Sequence, residues 1–241
     1  MTFGRFLEMG IATRDLVAAL DFYEALGFVQ AEVGEAWHHA YAVVTDGRIS
    51  FGLHGTELDG PVPTWTAPDL RQRSDEVQRL GIEFERVRLD DVSLNEAWLR
   101  DPSGWPLRLV EARTYSPPAL TPAYESSLGY FEELALPTTD LVEASRFWDA
   151  LGFVAFEPTA GPVSKVIASS RDLNVALYEA DLPGPMPCFT APDMPARIIA
   201  LRDRGFSFAR RMPRGLDPDT AAILQAPDGV AILLAITPPD V

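Results

Sequence analysis

Cysteine, lysine and histidine are scarce in this chain of 241 residues, and the shortage of cysteine has a direct consequence. Cys188 is the only cysteine, which excludes an internal disulfide and leaves neither a CxxC metal knuckle nor a thiol-rich cluster, so a reducing compartment is expected. Lys165 is the only lysine, and Lys plus Arg number 20 against 35 Asp plus Glu, for a formal net charge of -15. A field of that sign repels phosphate backbones and argues against a nucleic-acid partner. Arg210, Arg211 and Arg214 are too few to reverse it and read as a charged loop. Apolar runs of membrane-spanning length are also missing, and Met1 to Asp15 lacks the basic segment followed by an apolar stretch that export requires. The expectation is a cytoplasmic protein without a membrane partner.

What the chain does have is an internal repeat. Residues 15–28 read DLVAALDFYEALGF and residues 140–153 read DLVEASRFWDALGF, a displacement of 125. Asp15 and Asp140 are placed to cap helices that Gly27 and Gly152 end. Leu16, Ala19, Leu20, Tyr23 and Leu26 recur on one helical side, as do Leu141, Ala144, Phe147, Trp148 and Leu151. Strands are predicted at Phe6 to Ile11, Phe28 to Val33, Ala40 to Thr45 and Ile49 to Leu53. Their second-copy counterparts are Phe131 to Leu136, Phe153 to Glu157, Lys165 to Ser169 and Asn174 to Tyr178.

The pattern repeats within each copy. Leu70 to Leu80 and Met194 to Arg204 read as further helices, followed by strands around 82–89, 95–100 and 107–111, or 206–211, 220–225 and 230–236. A strand, helix, three-strand unit thus occurs four times, and one unit alone would leave its sheet uncovered. Pro117, Pro118 and Pro122 mark a linker. The division is a domain at 1–112, a linker at 113–128 and a domain at 129–241.

The run through Arg14-Asp15-Leu16, the helix and Leu26-Gly27-Phe28, its second-copy counterpart, and the Asp101-Pro102-Ser103-Gly104 approach to a final strand resemble the vicinal oxygen chelate superfamily. That superfamily includes glyoxalase I, extradiol dioxygenases, fosfomycin-modifying enzymes and bleomycin-resistance proteins. The resemblance implies an α+β fold of tandem glyoxalase/bleomycin-resistance/dioxygenase-like domains built from four βαβββ units, curled around ligand cavities. Metal-using members carry a histidine early in the first strand, a second ligand early in the next unit's first strand and a glutamate in the final strand. Counting from the helix caps and the last turn puts Glu8, Val62 and Arg108 at those positions, and Glu133, Met186 and Leu233 in the second copy. Two residues along stand Thr64 and Val110, or Cys188 and Ala235. Neither set rebuilds a divalent-metal triad.

The remaining candidates follow from residue type. His38, His39 and His54 all fall in the first unit, and adjacent strand residues face opposite ways, so His38 and His39 should not share a face. His39 or His54 with Glu8 is an alternative metal site. Glu8 and Arg108, opposite in charge at two ligand-like positions, suggest a carboxylate–guanidinium pair, either structural or touching a ligand. Trp37, Tyr41, Trp65 and Trp98 are candidate aromatic walls for an aromatic or cationic compound. Glu133 has apolar companions and reads as a polar core group or a general base. The leading expectation is metal-independent binding of a small organic molecule, in a resistance or sequestration role, with no cofactor and a monomeric or homodimeric chain. The alternatives are a divergent lyase, isomerase or oxygenase, with or without a divalent metal, and a non-catalytic structural or protein-interaction role.

Overall fold

Capped helices and alternating strands follow the repeat in the computed structural model, which describes residues 3–33, 37–90, 94–112, 126–159 and 163–237. The first half runs β1 (Arg5–Ala12), α1 (Leu16–Ala25), β2 (Val29–Ala31), β3 (Tyr41–Thr45), β4 (Ser50–His54), β5 (Val62–Ala67), α2 (Leu70–Arg79), β6 (Arg86–Arg88), β7 (Glu96–Arg100) and β8 (Pro106–Glu111). The second runs β9 (Tyr130–Pro137), α3 (Leu141–Ala150), β10 (Val154–Ala155), β11 (Lys165–Ser169), β12 (Asn174–Tyr178), β13 (Met186–Ala191), α4 (Met194–Asp203), β14 (Ala221–Gln225) and β15 (Ala231–Ile236). The proline-rich residues 113–125 lie outside the described residues.

The helix ends follow the local chemistry. Asp15 accepts from the Ala18 amide at 3.0 Å, and Asp140 from Val142 and Glu143 at 2.9 Å each. Gly27 and Gly152 take φ of 95° and 92° just past the helices, a region that disfavours side chains.

The strands form two mixed sheets, ordered β2-β3-β4-β1-β5-β8-β7-β6 and β10-β11-β12-β9-β13-β15-β14. The second has one strand fewer. Where residues 206–211 were expected to be a strand, only an isolated bridge, Phe208 to Leu224, forms. The Ala209 amide still donates to the Ile223 carbonyl at 2.8 Å, but beyond it Pro213 lacks an amide donor for a ladder, and Met212 and Leu216 turn onto the sheet instead of extending it.

One face of each sheet is covered by helices. Met9, Ile11, Phe51, Leu53, Trp65 and Leu109 are fully buried there, and the same apolar cluster continues through Leu134, Trp148, Phe153 and Phe189 of the second half. At about 1.5–3 kcal/mol per large side chain buried, this shared core is a main source of stability for both halves.

Its contacts come in reciprocal pairs. The Phe3 amide donates to the Leu151 carbonyl at 3.0 Å, and the Ser127 amide to the Leu26 carbonyl at 2.7 Å. Trp65 meets Phe153 at 6.3 Å between ring centroids, and Phe189 meets Phe28 at 6.2 Å. The Arg5–Asp172 ion pair at 2.7 Å is matched by Arg48 stacked 4.1 Å from the Tyr130 ring. Shifted by 124 or 125 residues, each member becomes its counterpart. The halves therefore meet as the two subunits of an isologous dimer would.

Candidate functional site

The sheet faces turned away from the helices carry the polar candidates. On the first sheet Glu8 lies opposite Thr64, Thr64 opposite Arg108 and Arg108 opposite Trp98, so one row crosses β1, β5, β8 and β7. The second sheet has the corresponding row Glu133, Cys188 and Leu233. Thr64 and Cys188, not Val62 and Met186, therefore occupy the middle position. Counting back from the caps misses it because Asp15 and Asp69 fix no register between the antiparallel β1 and β5, in which Val62 pairs with Gly10.

Glu8 is buried but held. Its Oε1 lies 2.8 Å from His54 Nε2, and the Tyr41 hydroxyl donates to its Oε2. Tyr41 and His54 are cross-strand partners on β3 and β4. His54 Nδ1 is in turn 2.9 Å from His39 Nε2. Gly52 makes this arrangement possible, because a Cβ there would overlap the Glu8 carboxylate. It pairs with Gly10, and the equivalent pair in the second half is Ala176 and Ala135. His54 is buried, whereas His39 is half-exposed and His38 faces solvent. Burial, then the neighbouring His54 and Arg108, lowers the pKa of His39 from 6.5, leaving the ring neutral near pH 7. Burial and the adjacent Glu8 carboxylate raise that of the Tyr41 hydroxyl, which stays protonated.

Arg108 does not pair with Glu8, as the sequence suggested. Its Nε donates to Glu96 at 3.0 Å, because both side chains project from neighbouring β7 and β8 on the same face. Burial would raise the pKa of Glu96, but Arg108 and Arg88 hold it below 4.5. The Arg108 guanidinium is stacked between Trp37 and Trp98, 4.1 and 4.9 Å from the ring centroids. Trp65 is not a wall of this site. One residue along from Thr64, it points into the helix-side core, edge-on to Phe3 at 5.1 Å.

In the second half, Lys165 Nζ reaches both Glu133 oxygens at 2.9 and 3.2 Å, and the Tyr178 hydroxyl donates to Oε1 at 2.6 Å. Ala135, Ala176, Met186, Cys188, Ile223 and Leu233 fill the remaining face, covered by Met212 and Leu216. Burial, then Glu133, raises the pKa of the Cys188 thiol, so it is not a thiolate. A groove of about 650 Å³ at the junction of the halves, lined by Trp105, Thr138, Glu179 and Asp181, contains none of the histidines.

A divalent metal needs donors that converge on one point. The first row offers a carboxylate, a hydroxyl and a guanidinium, and the second a carboxylate already facing an ammonium. His54 cannot close an alternative triad with Glu8 and His39, because each of its nitrogens already faces one of them. Among the described residues no group of three His, Cys, Asp or Glu side chains is placed to hold a metal ion. The metal implied by the resemblance does not fit these side chains.

Three of the residues that complete these clusters, Glu96, Lys165 and Tyr178, were missed in the sequence. Lys165 and Tyr178 stand 124 residues after Tyr41 and His54, so aligning the copies strand by strand would have found them. Nothing local to Glu96 marks its pairing with Arg108.

No family model and no curated protein sequence matches the chain. Solved structures do. A catechol 2,3-dioxygenase superposes with TM-score 0.61 at 16% identity, covering 100% of this chain and 91% of that one. An extradiol ring-cleaving dioxygenase from B. fuscum gives 0.62 at 17% identity, with coverage of 100% and 73%. A 2,2',3-trihydroxybiphenyl 1,2-dioxygenase from Sphingomonas wittichii gives 0.58 at 16%, with coverage of 97% and 90%. The chain shares the fold of these dioxygenases, α+β with two mixed sheets built from repeated strand and helix units in a tandem arrangement. Among the described residues it carries no metal-binding cluster.

Proposed function

We propose that the chain binds a small aromatic molecule, without a metal, on the polar face of the first sheet. The observation that carries this reading is the contrast between the two faces. The second is packed with apolar side chains under a covering loop, while the first keeps half-exposed Trp37, His39, Tyr41 and Trp98 around buried Glu8, His54 and Arg108. An aromatic ligand extends the Trp37–Arg108–Trp98 stack, and the histidines and tyrosine supply its polar contacts. The solved structures with this fold, named as dioxygenases of catechol and trihydroxybiphenyl, supply the class of compound to try first.

Tryptophan fluorescence titration with a panel of substituted phenols and catechols tests the reading. Saturable quenching is expected, weakened in Trp98→Leu and unchanged by a chelator. No quenching by any member of the panel, or binding that requires added Fe²⁺ or Mn²⁺, overturns it.

A further inference from the structure

We propose that Tyr41, Glu8, His54 and His39 form a proton relay with His39 as its working end. On this reading the site takes aromatic compounds with an acidic O–H or C–H and removes that proton. The inference rests on the first-sheet binding site and adds a chemistry to it.

The hydrogen-bond chain fixes the direction. Glu8 as a carboxylate accepts from the Tyr41 hydroxyl and from His54 Nε2–H. Neutral His54 then has a bare Nδ1, which accepts from His39 Nε2–H. Neutral His39 is left with a lone pair on Nδ1, at the exposed end of a chain whose other members are buried or partly buried. A buried carboxylate orienting an imidazole is the arrangement that prepares a histidine to take a proton. Here a second imidazole carries it outward.

The step balances without a co-reactant. The Nδ1 lone pair of His39 forms the new N–H bond, and the electron pair of the broken O–H or C–H bond stays on the ligand. The Nε2 proton of His39 passes to His54 Nδ1, so the positive charge settles beside Glu8. The ligand anion is offset by Arg108, whose charge already acts on His39. The groups facing His39 are His54 on β4, Glu8 on β1, Arg108 on β8 and the neighbouring His38, with the Trp37 ring beside it. The lowered pKa of His39 keeps the lone pair free near pH 7. On this reading His39 is the catalytic residue, and His54 and Glu8 are positioning residues.

Two measurements on the full chain test the relay. The first is ¹⁵N-histidine NMR, with the three histidines assigned by His38→Gln and His39→Gln. Protons on Nε2 and bare Nδ1 atoms are expected on both His39 and His54 at pH 8. Glu8→Gln should lower the His39 midpoint by about one unit, and by clearly less in a His54→Gln background, where only the through-space effect of Glu8 remains. A proton on Nδ1 of His54, an unmoved midpoint in Glu8→Gln, or broadening of both rings by added Mn²⁺ overturns the relay.

The second uses 4-nitrophenol, whose ionisation is visible by absorbance. Binding to the wild type should lower its ionisation midpoint by about one unit, tenfold in the ionisation constant. His39→Gln, which also removes a polar contact to the ligand, should quench tryptophan fluorescence only at higher phenol concentrations and, once saturated, lose that shift, and His54→Gln and Glu8→Gln should lose part of it. Binding with the shift intact in His39→Gln overturns the relay and leaves the binding site standing. No binding of the panel at all overturns the binding site, and the NMR result then decides whether the relay exists as a proton path.

Discussion

Glu8 is a buried carboxylate whose place is set by the absence of a side chain on the neighbouring strand. Gly52→Ala would put a methyl group where the carboxylate lies and break its bonds to His54 and Tyr41. Urea unfolding should show a loss of about 1–3 kcal/mol. In a Glu8→Ala background the same change should be nearly neutral, a coupling that a double-mutant cycle reads directly. Removing Arg108 strands a buried charge, that of Glu96. Arg88 remains 3.0 Å from Glu96, so Arg108→Met should cost about 2 kcal/mol, below the roughly 3–5 kcal/mol of a fully unpaired charge. Because the pKa of Glu96 is lowered in the folded state, its stabilisation is present above pH 4.5 and lost as the pH falls below it. The stability gap between Arg108→Met and the wild type should therefore narrow as the pH falls below 4.5, which urea unfolding at a series of pH values measures.

At the scale of elements, helix ends and tight turns separate what the sequence determines locally from what it does not. Asp15→Ala and Asp140→Ala should each cost about 1 kcal/mol by urea unfolding, since each removes an acceptor for free helix amides. Asp193, which makes no cap bond and pairs instead with Arg197, should matter less. The turn before β8 carries a pH signature. Asp101 Oδ1 accepts from the Ser103 and Trp105 amides, and burial, opposed by these bonds, raises its pKa to about 6. A raised carboxyl pKa contributes stability below about pH 4 that is lost as the pH rises through 6. Wild-type stability should fall by up to about 3 kcal/mol across that interval from this group, and the fall should be absent in Asp101→Asn.

Caps and turns were legible because their chemistry lies within four or five residues. The α+β class and the repeat were legible because periodicity and a fixed displacement survive without knowledge of register. The row Glu8–Thr64–Arg108 was not, because the register between β1 and β5 is set by pairing across the sheet and not by distance from either helix cap. Trp65 was assigned to the wrong face for a related reason: every residue of β5 is buried, so alternation gives no sign of which side is polar. The pairing of His39 with His54 depends on how residues before β3 fold back over β4, which neighbouring residues do not specify.

For the whole molecule, the continuous core has a consequence for folding. Trp65 packs 6.2 Å from Trp148, and the two halves share one apolar cluster. Trp148→Ala should cost about 3–5 kcal/mol in a single cooperative transition monitored from either half. Residues 1–112 expressed alone would expose Phe3, Trp65 and Phe28, and should self-associate unless the second half is supplied. Size-exclusion chromatography of each half and of their mixture measures this. Among the described residues no helix is long and apolar enough to cross a membrane.

The reciprocal joint also bears on how this protein is free to change. In a true homodimer every substitution happens twice, so a residue that improves one pocket is imposed on the other. Joining both halves in one chain lifts that obligation. The copies have used the freedom: tyrosine stands on β3 and histidine on β4 in one, lysine on β3 and tyrosine on β4 in the other, around the same glutamate. One half packs this face with apolar side chains, and its twin keeps a polar cluster in the same place.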